Sequence, residues 1–396
     1  MTDMPKDGEK PKVRLLNDPK FRSIIFQVLL IAIIIWAGWG IVENTIANLE
    51  KQGIASGFGF LNKPAGFGLN FSPFLEYTET STLLTVFFVG LQNTLFLAIL
   101  GVIFATLLGF IVGVARLSSN WVIAKMAYVY VETLRNIPLL LQIFIWYKGV
   151  GAFLPSKRDP ADLGFLGQLN AAGLYAPKPI FAAGSGLMVI GFVIGVVATI
   201  ALNIWAKKRQ METGERFPVF WTGLALIIGL PLLAYFIMGR PVSFEYPVAG
   251  NFGPKGGMRI IPEFIALLLA LSTYTAAFIA EIVRAGILAV NKGQTEASYA
   301  LGLRPGQTLR LNIIPQAMRV IIPPLTSQYL NLTKNSSLAV AIAYPDLTAA
   351  FAGTALNIVG QAVEMLLMTM LTYLAISILT SMFMNWYNAR MSLVER

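Results

Sequence analysis

The chain has 396 residues, 56% hydrophobic and 13% charged, with a formal net charge of +10 and a mean hydropathy of +0.67; this excludes an ordinary soluble domain and indicates an integral membrane protein. Cysteine and histidine are absent, which removes disulfides, thiolate chemistry, the commonest proton shuttle and the commonest metal ligand. No Gly-x-x-x-x-Gly-Lys-Ser/Thr run occurs, so no phosphate loop of the usual kind is encoded, and neither a catalytic residue, a metal site nor nucleic-acid binding is expected.

Lys6, Lys10, Lys12, Arg14, Lys20 and Arg22 make the beginning basic. The apolar run from Ser23 to Val42 meets the requirement of about 20 residues for a hydrocarbon core. It has no small-residue cleavage site soon after it and reads as an anchor helix. Glu43 to Thr82 reads as an outer loop whose Phe58, Phe60, Phe67, Phe71 and Phe74 suit the headgroup zone. Leu83 to Leu117 exceeds one membrane thickness; Gly90, Gly101, Gly109 and Gly113 suit close helix packing, and Asn93 either bonds a partner helix or lines a pore. In Trp121 to Gly151, Glu132 and Arg135 are three residues apart, where each can neutralise the other. Pro138 must bend or end a helix.

Residues 156–261 hold two further apolar runs, Ala183 to Trp205 and Pro218 to Met238, joined by a connector bearing Lys207, Lys208, Arg209 and Arg216. They read as a transmembrane hairpin between two outer loops. Pro262 to Val290 is the next span. Its hydroxyl cluster, Ser272, Thr273, Tyr274 and Thr275, either bonds locally or meets a solute, and Glu281 with Arg284 repeats the three-residue charge pairing near the inner end. Asn291 to Pro315 follows as a polar stretch: Gln294 to Leu301 can form about two turns of helix, Gly302 suits a left-handed stop, and Pro305 can begin a second helix. Gln316 to Ala343 spans again, with Asn331, Thr333, Lys334 and Asn335 at its centre. An intramembrane ammonium faces the bundle interior or an aqueous cavity, so Lys334 either meets the solute or pairs with Glu132 or Glu281. Tyr344 to Gly360 reads as an outer loop and Gln361 to Trp386 as the last span. The result is about eight spans with both termini cytoplasmic, placing roughly 18 Lys and Arg inside and roughly 9 outside.

Glu296, Ala297, Gly302 and Pro315 fall on a known pattern, that of the EAA loop of permease subunits in ABC importers, from which Ser298, Asn312 and Ile314 depart mildly. The segments GLQNTLFLAI (Gly90 to Ile99), YVETLRNIPLLLQ (Tyr130 to Gln142) and LTKNSSLA (Leu332 to Ala339) resemble the polar amino acid branch of that family. The N-terminal extension and central insertion are similar to those of a Q-type permease of a general L-amino acid importer. The resemblance implies an all-α polytopic fold with a type I permease core in residues 83–155 and 262–390. Residues 1–82 would precede that core as tail, anchor helix and outer loop, residues 156–261 would form the insertion, and residues 291–315 the coupling loop.

It further implies a multi-pass subunit of the bacterial inner membrane that moves L-amino acids by alternating access and is not itself an enzyme. ATP and Mg would be bound by a separate ABC ATPase dimer. The other implied partners are a homologous second permease, a periplasmic amino-acid-binding protein and membrane lipid. Glu296, Ala297, Ser298, Gly302 and Pro305 are expected to couple to the ATPase, Thr275, Asn331, Lys334 and Asn335 to line the solute path, and Glu132, Arg135, Glu281 and Arg284 to form gate-side charge pairs. The alternative is a stand-alone secondary transporter or channel, in which Glu132 would be the coupling carboxylate.

Overall fold

The computed structural model describes residues 19–51, 57–157, 159–248, 250 and 253–391, so Lys6 to Arg14 and Arg158 lie outside the described residues. The first apolar run forms α1 (Pro19–Lys51), which continues past Val42 for about two more turns. Its 33 residues measure about 50 Å against a hydrocarbon layer of about 30 Å. None of its apolar window is buried against the rest of the chain.

Helix α2 (Leu83–Ala115) starts behind Thr82, whose hydroxyl accepts from the Thr85 N–H. It is followed by α3 (Trp121–Asn136) and α4 (Leu139–Phe153), which are broken apart at Ile137 and Pro138. Proline lacks an N–H and its ring blocks the preceding turn. The carbonyls of Leu134 and Ile137 beside the break accept hydrogen bonds from Gln142 Nε2 at 2.7 and 2.9 Å. Because Gln142 is buried, the break is a fixed kink, closed by a side chain four residues beyond the proline.

The insertion runs β1 (Ala161–Asp162), β2 (Gln168–Asn170), β3 (Gly173–Ala176), β4 (Lys178–Phe181), α5 (Gly186–Thr213), α6 (Val219–Ile237), β5 (Val242–Glu245) and β6 (Met258–Ile260). The expected hairpin is α5 with α6. Its flanking segments are not irregular loops: they pair with each other as an antiparallel sheet in the order β1-β2-β3-β6 and as a second pair, β4-β5. Strands of two to four residues carry too little alternation to register as a period in the sequence.

The remaining elements are α7 (Pro262–Leu288), α8 (Lys292–Ala300), α9 (Pro305–Thr308), α10 (Ile314–Asn335), α11 (Leu356–Val359) and α12 (Ala362–Met391). Among the described residues, six helices are long and apolar enough to span a membrane, and a pair of helical runs bent by 49°, Pro305–Ile342 with Leu347–Val359, adds a further span. The shorter α4, 15 residues and apolar, stands beside them. The architecture is all-α and polytopic, with small sheets in the insertion.

The segment Tyr344 to Gly360 corrects the reading of an outer loop. It turns inward as a π-helical run, Leu347–Ala355, leading into α11, and Tyr344, Leu347 and Phe351 are fully buried. Asp346 caps this run by accepting from the Ala349 N–H at 2.8 Å. Phe60 and Phe71 also lie in the core instead of the headgroup zone, whereas Phe58 and Phe74 are exposed.

The core is the seam between α2 and α7, flanked by α4 and α10. Gly109 and Gly113 permit the approach: a Cβ on Gly109 would stand 2.6 Å from Ile279 Cβ, and one on Gly113 would stand 2.7 Å from Val283 Cβ. At the other end of α2, buried Asn93 donates through Nδ2 to the carbonyls of Phe71 and Pro345 at 3.0 and 2.8 Å, and its own carbonyl accepts from the Tyr344 hydroxyl at 3.0 Å. Of the two expected roles for Asn93, the structure shows hydrogen bonding that joins three passages of chain.

Candidate functional site

The polar bend is built from α8, α9 and the start of α10. Asn291 caps α8 by accepting from the Gly293 N–H at 2.8 Å. The helix ends in a Schellman arrangement: Gly302 has φ of 75° and its N–H reaches the Tyr299 carbonyl at 2.9 Å, while the Leu303 N–H reaches the Ser298 carbonyl at 3.1 Å. Pro305 then opens α9, and Gln307 Oε1 accepts from the Arg304 N–H at 3.0 Å. The chain thus turns within a few residues, with its terminal backbone groups paired.

One side of α8 is anchored and the other is free. Ser298 is buried; its hydroxyl donates to the Gln294 carbonyl at 2.7 Å and accepts from Asn312 Nδ2 at 2.9 Å. Asn312 Nδ2 also reaches the Gln294 carbonyl at 3.0 Å, and Gln316 Nε2 reaches Gln294 Oε1 at 3.1 Å. Asn312 belongs to a π-helical turn, Leu309–Ile313, that leads into α10. Glu296, Ala297, Gly302 and Pro305 are exposed, as are Tyr299 and Leu301, the latter at 81%. This is a rigid, amide-tied knuckle with an apolar and acidic outer surface.

Near the C-terminal end of α7, the Glu281 carboxylate holds two guanidinium groups. Arg284 Nη2 lies 2.6 Å from Oε1, and Arg116, at the end of α2, pairs with Oε2. The cluster links α2 to α7, and the Arg116 side chain is only 10% exposed. Arg135 is exposed and adds a longer-range cation to the same carboxylate.

The expected Glu132 to Arg135 pair does not form. The Arg135 guanidinium lies 5.3 Å from the Phe278 ring centroid, and no ion pair involves Glu132 among the described residues. A ring face on the neighbouring span holds the cation, by attraction to its electron density. Sequence spacing put both charges on one face but could not show what lay opposite.

The four expected solute-path residues are dispersed. Lys334 is exposed and lines a cavity of about 460 Å³ with Ser337, Thr348, Thr369, Tyr373 and Ser377 among its walls. Asn331 is exposed one turn before it and Asn335 is half-buried, but neither lines that cavity. Thr275 is buried within α7 at 3% exposure and does not reach it either. Lys334 forms no ion pair with Glu132 or Glu281. Behind the cavity wall, the Tyr373 hydroxyl donates to Asp346 Oδ2 at 3.1 Å and sits 3.2 Å from the Thr348 hydroxyl.

Three residues of these networks escaped the sequence reading of sites. Arg116 carries no local signal, since its partner is 165 positions away. Asn312 looked like a mild departure from a pattern. Asp346 did carry a usable signal, since an Asp immediately before a run of small and apolar residues is a helix-cap pattern.

A family model described as "Binding-protein-dependent transport system inner membrane component" matches residues 191–393. The general L-amino acid transport system permease protein AapQ of Rhizobium johnstonii is 53% identical over 96% of this chain and 95% of its own length. The putative amino-acid ABC transporter permease protein YhdX of Escherichia coli is 48% identical, over 96% of each chain. The glutamate/glutamine/aspartate/asparagine transport system permease protein BztB of Rhodobacter capsulatus is 40% identical over 100% of this chain and 99% of its own. Among solved structures, an amino acid ABC transporter crystallised with histidines aligns at a TM-score of 0.46 and 21% identity, over 78% of this chain and 94% of that one. With relatives this similar end to end, the chain belongs to the binding-protein-dependent transport system inner membrane components and, among them, to the amino-acid ABC permeases.

Proposed function

We propose that this chain is the transmembrane permease subunit of an ATP-driven importer that carries L-amino acids across the bacterial inner membrane by alternating access. It couples to a separate ATPase dimer, which binds ATP and Mg, through the bend around Glu296. A homologous second permease completes the pathway and a periplasmic binding protein delivers the solute. Both termini lie in the cytoplasm, in keeping with the excess of Lys and Arg on that side.

The observation that carries this reading is the knuckle itself: α8 is pinned to the start of α10 through Ser298, Asn312 and Gln294, while Glu296, Ala297, Tyr299 and Leu301 face outward. A lever must be stiff at its own joint and adhesive on its outer face, since coupling needs a contact with two defined positions. Motion of α8 reaches α7 directly, and Glu281 with Arg116 passes it to α2. The exposed Lys334 ammonium in its cavity receives the carboxylate of a passing amino acid.

The test uses the chain assembled with its ATPase, second permease and binding protein in proteoliposomes. Glu296→Lys combined with Gly302→Val should leave the subunit in the membrane but abolish most ATP-dependent uptake. Unchanged uptake would overturn the coupling role. Uptake by the purified chain alone, without ATPase, would instead establish a stand-alone transporter.

A further inference from the structure

The hairpin of α5 and α6 is built to pack on itself and on little else. Gly191 and Gly195 let α5 approach the Leu230 and Leu226 carbonyls of α6, and Gly223 meets the Thr199 methyl group. Only 6% of each apolar window is buried, and neither helix packs extensively on a helix of the core. At the opposite end its flanking segments pair with each other in the two sheets, and β6 leads on into α7. The far end of the hairpin, where α5 passes into α6, lies at the other end of the two helices from the sheets, on the side to which α7 delivers the bend.

That end has an unusual composition for its size. Helix α5 has 28 residues and measures about 42 Å, some 12 Å more than the hydrocarbon layer, which corresponds to about eight residues and matches Ala206 to Thr213. Lys207, Lys208, Arg209 and Arg216 gather there against Glu212 and Glu215. Arg209 pairs with Glu215 at 2.6 Å and Lys208 approaches Glu212 at 4.0 Å. Lys207 and Arg216 are exposed and have no ion-pair partner among the described residues. Around them lies an aromatic collar: Trp205 meets Phe217 edge to face at 5.4 Å, and Phe220 meets Trp221 at 5.2 Å, with Phe220 and Trp221 mostly exposed.

We propose that this end of the hairpin is a docking surface for anionic phospholipid headgroups, with Lys207 and Arg216 contacting the phosphates and the four aromatic rings seated at the interface. Charge complementarity and depth together favour a lipid over a soluble acidic partner. With α5 placed across the hydrocarbon layer, Lys207 and Arg216 fall in the stretch left over beyond it, at the height of the phosphates, and indole and phenyl rings beside them are the side chains that settle in the headgroup layer. The Arg209 guanidinium, held 5.5 Å from the Trp205 ring centroid and bridged to Glu215, orders the collar instead of binding. The function is to fix the insertion in the bilayer where the core does not grip it. This inference needs the membrane placement of α5 and α6 but not the coupling role of Glu296.

The test is lipid titration of the full chain in its complex, delipidated in mild detergent and read by native mass spectrometry with phosphatidylglycerol or phosphatidylcholine. The wild type should bind phosphatidylglycerol in preference to phosphatidylcholine. Lys207→Gln with Arg216→Gln should weaken phosphatidylglycerol binding about tenfold, while Lys157→Gln with Lys178→Gln, at the opposite end, should leave it unchanged. An unchanged elution profile on size exclusion checks that each variant is folded. Equal binding of the two lipids, a variant that binds phosphatidylglycerol like the wild type, or displacement by millimolar inorganic phosphate would each overturn the proposal. So would loss of a protein subunit from the double variant with lipid binding intact.

Discussion

Ser298 Oγ accepts a hydrogen bond from Asn312 Nδ2 at 2.9 Å, across a bend that separates them by 14 positions. Both residues depart from the pattern that the neighbouring Glu296, Ala297 and Gly302 follow, and the two departures meet each other. Asn312 Nδ2 donates to both the Ser298 hydroxyl and the Gln294 carbonyl, while the hydroxyl keeps its own bond to that carbonyl. At a net of about 0.5 to 1.5 kcal/mol per hydrogen bond, Asn312→Ile should destabilise the bend by about 1 to 2 kcal/mol, and Ser298→Ala added to it should cost less than Ser298→Ala alone. Hydrogen exchange of residues 291–315 in the four members of the double-mutant cycle measures it; strictly additive effects would mean the pair is not coupled.

Gly302 tests the joint separately from the contact surface. A Cβ placed there meets nothing within 4 Å, so any cost of substitution is that of the left-handed backbone at φ of 75°. That cost is about 1 to 2 kcal/mol for an ordinary L-residue and less for Asn. Uptake and thermal stability should fall in the order wild type, Gly302→Asn, Gly302→Ala, Gly302→Val, and equal behaviour of the last three would place the effect elsewhere.

The glycine seam predicts a contrast between positions of one residue type. Gly109→Ala forces a methyl against Ile279 and should destabilise the subunit by about 1 to 3 kcal/mol. Gly38→Ala in α1, with nothing within 4 Å, should lie within about 0.5 kcal/mol of the wild type. Thermal inactivation in detergent distinguishes them.

In the Glu281 charge cluster the carboxylate is the shared member. Glu281→Gln leaves Arg116 and Arg284 facing each other without an anion, whereas Arg116→Gln or Arg284→Gln leaves one good pair. The order of destabilisation should be Glu281→Gln first, by about 1 to 3 kcal/mol after allowing for partial exposure, then the two arginine variants. Denaturation midpoints measured at two salt concentrations would check both the order and its electrostatic origin.

How far the sequence could be read depended on the range of the interaction. Spans were legible because a run of apolar residues is its own signal, and Gly302 and Pro305 because a helix stop is set by the residue that makes it. Even the Pro138 break was local. What could not be read were contacts across space: Arg116 with Glu281, Arg135 on Phe278 instead of Glu132, and Thr275 turned into the core away from Lys334. Each needs the neighbouring helix to be in place before the side chain has a choice of partners. The inward turn after Tyr344 was missed for a related reason. Small residues such as Ala349, Ala350 and Gly353 look like loop until the burial of Tyr344 and Leu347 is known.

The tether of α5 and α6 bears on how this architecture grows and shrinks. Strand β6 runs straight into α7, and α4 ends shortly before β1, so both joins of the insertion lie beside the sheet that β1 and β6 share. No side chain of the buried α2–α7 cluster comes from residues 156–259. A gene could acquire or shed this outrigger in a single event without reopening the hydrophobic interior, and an engineer could exchange it as a cassette.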